Sequence, residues 1–278
     1  MTTADRLGAV PRRSRPGAAG LARRAARLLP ALLLPLGGVA AWQLVAWLAD
    51  PRPWLLPSPL DVLRTMAAEH DRLWFHAQGT IRGSLLGLAL ALAAGLALAV
   101  GISASRALDR AVYPWVVASQ AIPILAVAPL FPIWLDYGPS QLLVAALIAF
   151  FPIVVTGVDG LRAVDPEIAR TLRTLGAGRL WVWRHATFPA ALPALFSGLR
   201  MAAVFSVTGA VVAEYVGADR GLGYLSEIAT GQFQTDVVFA CIAWLGAIGV
   251  ALFGLVTLAE RLVLPYRYRS TRPRWRTG

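Results

Sequence analysis

The chain has 278 residues, 57% of them apolar and only 15% charged, so it is too apolar and too unevenly patterned to form one soluble core. All 26 basic residues are arginine, and a P-loop needs a lysine that reaches the nucleotide phosphates, so the chain carries no such ATP site. The net charge of +11 gathers at the ends of apolar segments, which is the pattern of membrane topology and argues against a nucleic-acid partner. The single Cys241 lies in an apolar run and excludes both a disulfide framework and a cysteine-based metal site.

Residues 1–27 hold seven arginines and read as a basic tail. The next 22 residues, 28–49, carry no charge and are long enough to cross a bilayer, unlike a short cleaved signal segment. Residues 50–82 open with PRPWLLPSP, whose prolines forbid a continuous helix. Leu60, Leu63 and Met66 then recur at helical spacing with Asp61, Arg64 and Glu69 off that face, predicting a short amphipathic surface helix. Charge-free windows of 23, 25, 22 and 23 residues follow at 83–105, 111–135, 137–158 and 237–259, each sufficient for one span. A further span is expected over 197–217, with Arg200 snorkelling to one interface and Glu214 approaching the other.

Six spans put both termini on one side. With the termini inside, the inner segments hold 20 arginines and the outer ones 5, which assigns both termini and residues 162–193 to the cytoplasm. Trp42, Trp47, Trp54 and Trp74 then lie near the outer boundary, where amphipathic rings sit.

Within the cytoplasmic stretch, Asp165 is placed to cap a helix that has Pro166 at its first position and Glu167 in its first turn. Gly176 and Gly178 can end that helix in a left-handed turn. A second short helix is expected over 179–185, closing before Pro189 and Pro193 turn the chain back into the membrane. It sets Leu180, Trp181 and Trp183 among Arg179 and Arg184. Aromatics ringed by arginine suit a protein–protein hot spot, and they equally suit a helix lying in the lipid headgroup layer.

Candidates for a pathway through the membrane are polar or irregular positions inside spans. Gln120 precedes Pro123, Pro129 and Pro132, and Pro152 interrupts the fourth span. Such prolines are common in membrane helices, and it is their clustering that points to a cavity. Glu214 and Tyr215, followed by GADRGLGYL, stand at the outer end of the fifth span; Glu214 fits either an outer gate or a helix-end group paired with Arg220. No catalytic set is legible: His70, His76 and His185 are scattered outside the expected spans, and Ser197 lacks a nucleophile-elbow context. A secondary transporter would place ionisable groups near mid-membrane, where these spans show almost none.

The segment LGAGRLWVWRHATFPAALP, with Pro189 thirteen residues after Gly176 and Pro193 beyond it, resembles the cytoplasmic EAA signature of ABC-importer permeases. The stretches AIPILAVAPLFPIWLDYG at 121–138, AFFPIVVTGVDGLRAVDPE at 149–167, FSGLRMAAVFSVTGAVVAEYVGADRGLGYL at 196–225 and LVTLAERLVLPY at 255–266 are similar to nitrate/sulfonate/taurine-type and thiamine-precursor permeases. Roughly residues 75–266 share this resemblance. It implies an all-α membrane protein with six transmembrane helices, a type I ABC importer transmembrane domain of the MetI-like kind. The implied permease domain covers 28–266 with a coupling loop at 162–193, flanked by cytoplasmic tails at 1–27 and 267–278. By the same resemblance Glu167, Arg170, Leu175, Gly176, Ala177, Arg179, Trp181, Arg184 and Pro189 dock on an ATP-binding-cassette ATPase subunit. An extracytoplasmic solute-binding protein, a second permease copy and the lipid bilayer of a bacterial inner membrane are the other implied partners, with no cofactor and no metal. The implied cargo is nitrate, an alkanesulfonate, taurine or a thiamine pyrimidine precursor. One departure stands out: where the family places Glu-Ala-Ala ahead of the glycine, this chain has Arg170, Thr171 and Leu172.

Overall fold

The computed structural model describes residues 18–49, 51–52 and 55–265, and every regular element among them is helical. The expected tails therefore lie outside the described residues over 1–17 and 266–278, as does Trp54. The chain separates into two compact units, Met1–Asp61 and Val62–Gly278. The first holds α1 (Ala18–Ala49) and, at its end, the start of α2 (Pro59–Ala68). Ser58 caps that start: its hydroxyl donates to Asp61 at 2.6 Å and accepts the Asp61 N–H at 3.2 Å. The predicted apolar face of α2 is turned around, because Val62 is buried while Leu60 and Leu63 are exposed. The physical reason is long-range: the Thr65 hydroxyl donates to Asp236 at 2.7 Å, which turns the 62/65 side inward.

The second unit continues with α3 (His70–Ala104), α4 (Arg106–Ala118), α5 (Ile124–Val127), α6 (Phe131–Trp134), α7 (Tyr137–Arg162), α8 (Pro166–Thr174), α9 (Arg179–Val182), α10 (Phe188–Glu214), α11 (Leu222–Gly231) and α12 (Thr235–Val263). Among the described residues four helices are long and apolar enough to cross a membrane: α3, α7, the run Arg179–Glu214 and α12. His70 and His76 thus fall inside the first of these helices and not in a preceding loop.

The third expected span is not straight. Arg106–Ala121 and Ile124–Trp134 meet at 83°, the geometry of a broken span or a re-entrant loop. Proline chemistry explains the bend. Pro123 offers no N–H and pushes Ile122 into extended backbone (φ −87°, ψ 116°), while Pro129 and Pro132 each sit at the start of the next short helical turn.

α7 lies between α3 and α10 and packs against both. Lipid tails are as apolar as leucine, so membrane helices associate by close packing of small residues, and here the contact is made by glycine and alanine. Ala145, fully buried, is wedged between Gly87 of α3 and Gly209 of α10. A Cβ at Gly87 would lie 2.5 Å from the Ala145 Cβ, and one at Gly209 would lie 2.6 Å from the Ala145 Cα. The leucines of the same segment, Leu85, Leu86 and Leu90, point outward and stay exposed. Small residues inside and large apolar residues outside invert the soluble pattern, as a lipid solvent demands.

Gly209→Leu should therefore push α10 off α7 at a backbone atom that cannot yield. We expect a loss of about 1–3 kcal/mol of stability, read as a lowered midpoint in detergent thermal unfolding. Gly246→Ala, where an added Cβ meets nothing within 4 Å, should leave that midpoint unchanged.

Candidate docking loop and transmembrane groove

The loop between α7 and α10 is built by local rules that its sequence announces. The Asp165 side chain accepts the Glu167 N–H at 2.8 Å and caps α8. At the other end of α8, Ala177 N–H reaches the Leu172 carbonyl and Gly176 N–H reaches the Arg173 carbonyl, both at 3.0 Å. That pair of bonds is a Schellman closure, and it requires the left-handed φ of +91° that Gly176 adopts. The chain then turns at Gly178 into α9.

The expected second helix over 179–185 does not close before the prolines. α9 passes into a wide π turn, Trp183–Thr187, and runs straight on into α10. Phe188 N–H bonds the Trp183 carbonyl five residues back, so the widened turn makes room for Pro189, which has no N–H to give. The loop helix and the membrane helix are one rod.

The docking candidates come together on this loop, and they face outward. Glu167, Arg170, Leu175, Gly176, Arg179, Trp181 and Arg184 are exposed, with Ala177 and Pro189 part-buried. Leu175 and Leu180 are 79% and 76% exposed, apolar side chains offered to no neighbour in the chain. Trp181 stacks on His185 with ring centres 4.6 Å apart, which holds the indole in one orientation. None of Arg170, Arg173, Arg179 and Arg184 pairs with a carboxylate among the described residues. At the base of the loop, Arg162 bonds Asp109 of α4 at 2.5 Å and lies over the Tyr113 ring.

The pathway candidates do not converge. Gln120 and Pro123 are exposed at the bend after α4, whereas Pro152 is buried in the α7 packing and its carbonyl accepts the Thr156 hydroxyl at 2.8 Å. Glu214 is fully buried and does not pair with Arg220. Its carboxylate instead accepts from Thr80 of α3 (3.1 Å), Gln141 of α7 (2.9 Å) and the Gly223 N–H at the start of α11 (2.7 Å). Thr80 in turn accepts the Leu222 N–H at 2.9 Å. Gly221 permits this approach with φ +139°, since a Cβ there would lie 2.1 Å from the Glu214 carboxyl carbon. Arg220 points elsewhere, donating to the Phe75 carbonyl and to Gln78 and lying 4.0 Å over the Phe75 ring.

Arg200 does not snorkel. It donates to Glu260 of α12, which is fully buried, and to Ser197 at 3.1 Å. Beyond this pair α10 and α12 part around a groove of about 640 Å³. Val204, Val207, Thr208 and Val211 line one wall, Gly246, Gly249 and Phe253 the other, and Tyr215 stands at its end. The Tyr215 hydroxyl contacts Ser226 of α11 at 3.0 Å.

Residues 87–265 match the family described as binding-protein-dependent transport system inner membrane component. The chain belongs to this family. It is 35% identical to the formylaminopyrimidine transport permease protein ThiX of Halalkalibacterium halodurans over 89% of this chain and all of that one. It is 41% identical to the riboflavin transport system permease protein RibX of Chloroflexus aurantiacus, covering 85% of this chain and 88% of that one. The taurine transport system permease protein TauC of Escherichia coli is 31% identical over 81% and 85% of the two chains. This member of the binding-protein-dependent family is thus an ABC transporter permease, a multi-pass membrane transport subunit.

Sequence reasoning missed three partners in this permease: Thr80, Gln141 and Glu260. Glu260 had a signal, since LVTLAERLVL sets one carboxylate in a run of apolar residues, a costly choice unless a cation answers it. Glu214→Ala should leave the Thr80 and Gln141 donors and the Gly223 N–H without an acceptor, at about 1–3 kcal/mol for each buried group. We expect a marked drop in the detergent unfolding midpoint, and a much smaller one for Glu214→Gln, which keeps one acceptor oxygen.

Proposed function

We propose that this permease is half of a twofold importer, driven from the cytoplasm through the loop at 162–193. Six spans follow if the bent pair is one and the shorter apolar helix Leu33–Ala49 is another. The arginine distribution supports cytoplasmic termini and a cytoplasmic loop. The permease domain is then 28–266, with tails at 1–27 and 267–278.

The observation that carries the reading is an exposed hook, the pair Leu180 and Trp181 on a helix continuous with one long and apolar enough to cross a membrane, with exposed Leu175 just across the glycine turn. ATP binding draws two ATPase subunits together, and a hook seated on each must follow. Because α9 and α10 form one rod, that displacement tilts α10 and alters the groove against α12. A second copy supplies the facing half of the pathway. An extracytoplasmic binding protein delivers cargo at the opposite end, near Tyr215 and α11. Arg170 stands where the family has an acidic residue, so the ATPase of this system should carry an acidic group opposite it.

Gly176→Val forces a β-branched residue into the left-handed region, at about 1–2 kcal/mol, and Trp181→Asp removes the aromatic anchor. Either change should release the co-purifying ATPase subunit while the permease still inserts into the membrane. Retention of the ATPase by both variants would sink the docking reading.

The groove also bears on cargo. Thr208 and Tyr215 are the polar side chains that line it, and no cation is among its lining residues to answer an anion. This favours an uncharged heterocycle over a sulfonate or nitrate. Cells expressing the complete system should take up formylaminopyrimidine, with taurine failing to compete at a large excess; competition by taurine would reverse that choice.

A further inference from the structure

The ion pair between Arg200 and Glu260 lies where the movement of the docking loop would have to pass from α10 to α12. α12 runs back from the far end of the bundle, and Glu260 sits in its last turn, on the same side as the loop. Arg200 lies 21 residues into the rod that starts at Arg179, about 30 Å along it. The tie is built from several bonds. Arg200 donates to Glu260 and to Ser197, Ser197 donates to the Pro193 carbonyl at 3.0 Å, and the guanidinium lies 6.0 Å over the Phe253 ring of α12.

What lies on either side of this tie is equally informative. Farther from the loop, α10 and α12 face each other across the apolar groove, where contacts are non-directional and the α12 wall includes Gly246 and Gly249. Apolar surfaces can slide or part without breaking a polar bond, whereas a guanidinium paired with a fully buried carboxylate keeps its geometry or loses it outright. The two helices are thus joined like tweezers, closed at the loop end by charge and free to change spacing beyond it.

Resting on the docking reading above, we infer that Arg200 and Glu260 are positioning residues that transmit the tilt of α10 to α12, so that the groove between them opens and closes with the ATPase cycle. Neither residue touches cargo in this arrangement. The pair sets how much of the loop's displacement reaches the groove wall.

The test uses the full permease assembled with its co-purifying ATPase in lipid nanodiscs, in a Cys241→Ala background carrying Thr208→Cys in the groove. N-ethylmaleimide labelling of that cysteine is timed with and without ATP plus vanadate, alongside ATP hydrolysis. In the parent the labelling rate should change by roughly fivefold or more, within the range of ordinary coupling. Glu260→Gln should keep the ATPase bound and hydrolysing while this nucleotide-dependent change disappears, and the exchange Arg200→Glu with Glu260→Arg should restore it. A glutamine variant with the parent's response would overturn the inference. So would parallel loss of ATPase binding, hydrolysis and response that the exchange does not rescue, because a merely structural pair would behave that way. A parent complex that retains no ATPase is a separate failure, which sinks the docking reading and removes this inference with it.

Discussion

From Arg179 to Glu214 the backbone never leaves the helical ladder, although the stretch contains Pro189 and Pro193. A helix that lost two N–H groups at a membrane surface would ordinarily kink or end there. At Pro189 the π turn over Trp183–Thr187 lets the helix continue, because it sets the wide register just before a residue that has no N–H to give. Thirty-six residues then form one rod of about 54 Å. Its later part is long and apolar enough to cross a membrane, and its first turns carry the exposed Trp181. Loop helix and span therefore share one continuous backbone ladder.

A rod transmits only to what is fastened to it, and the fastenings differ greatly in strength. Along α7 the contact with α10 is made by small residues at close approach, as at Gly209 against Ala145. Arg162 and Asp109 tie the loop base to α4, but both side chains are a third or more exposed, and such pairs contribute at most about 1 kcal/mol. The Arg200–Glu260 pair is of another kind, with Glu260 wholly out of solvent. Removing one partner of a pair whose carboxylate is buried generally costs far more than breaking an exposed one, because the remaining charge is held out of water. Of the polar links from α10 to the rest of the bundle, this one and the Glu214 cluster hold firm under load. They sit near opposite ends of the membrane-crossing part.

Legibility in the sequence followed range. The Asp165 cap, the Gly176 closure and the exposed arginines of the loop are set by residues within six positions of one another, and all are where the sequence puts them. The apolar windows gave the long helices for the same reason. What failed depended on distant partners. The inward face of α2 is chosen by Asp236, some 170 residues away, and the fate of Glu214 is decided by Thr80 and Gln141 instead of its neighbour Arg220. Prolines announced irregularity in the third span, but their chemistry sets where a helix stops and not the angle at which the next one leaves. The loop's second helix was misjudged because a widened turn, which no residue type signals, let it run past Pro189.

Two buried carboxylates in a membrane bundle raise the possibility that the chain draws on an ion gradient instead of a motor. The geometry of each speaks against that use. A coupling site must meet the pathway alternately from both sides, and its ligands must release what they bind. Glu260 is taken by Arg200, and Glu214 is enclosed by donors from α3, α7 and α11 with no solvent exposure. Neither carboxylate is among the residues that line the groove beside α10. Both acids therefore act as struts, spending the cost of burial on holding helices in register. Among the described residues, both buried carboxylates are thus engaged with neighbouring helices, while the arginines of the loop face outward.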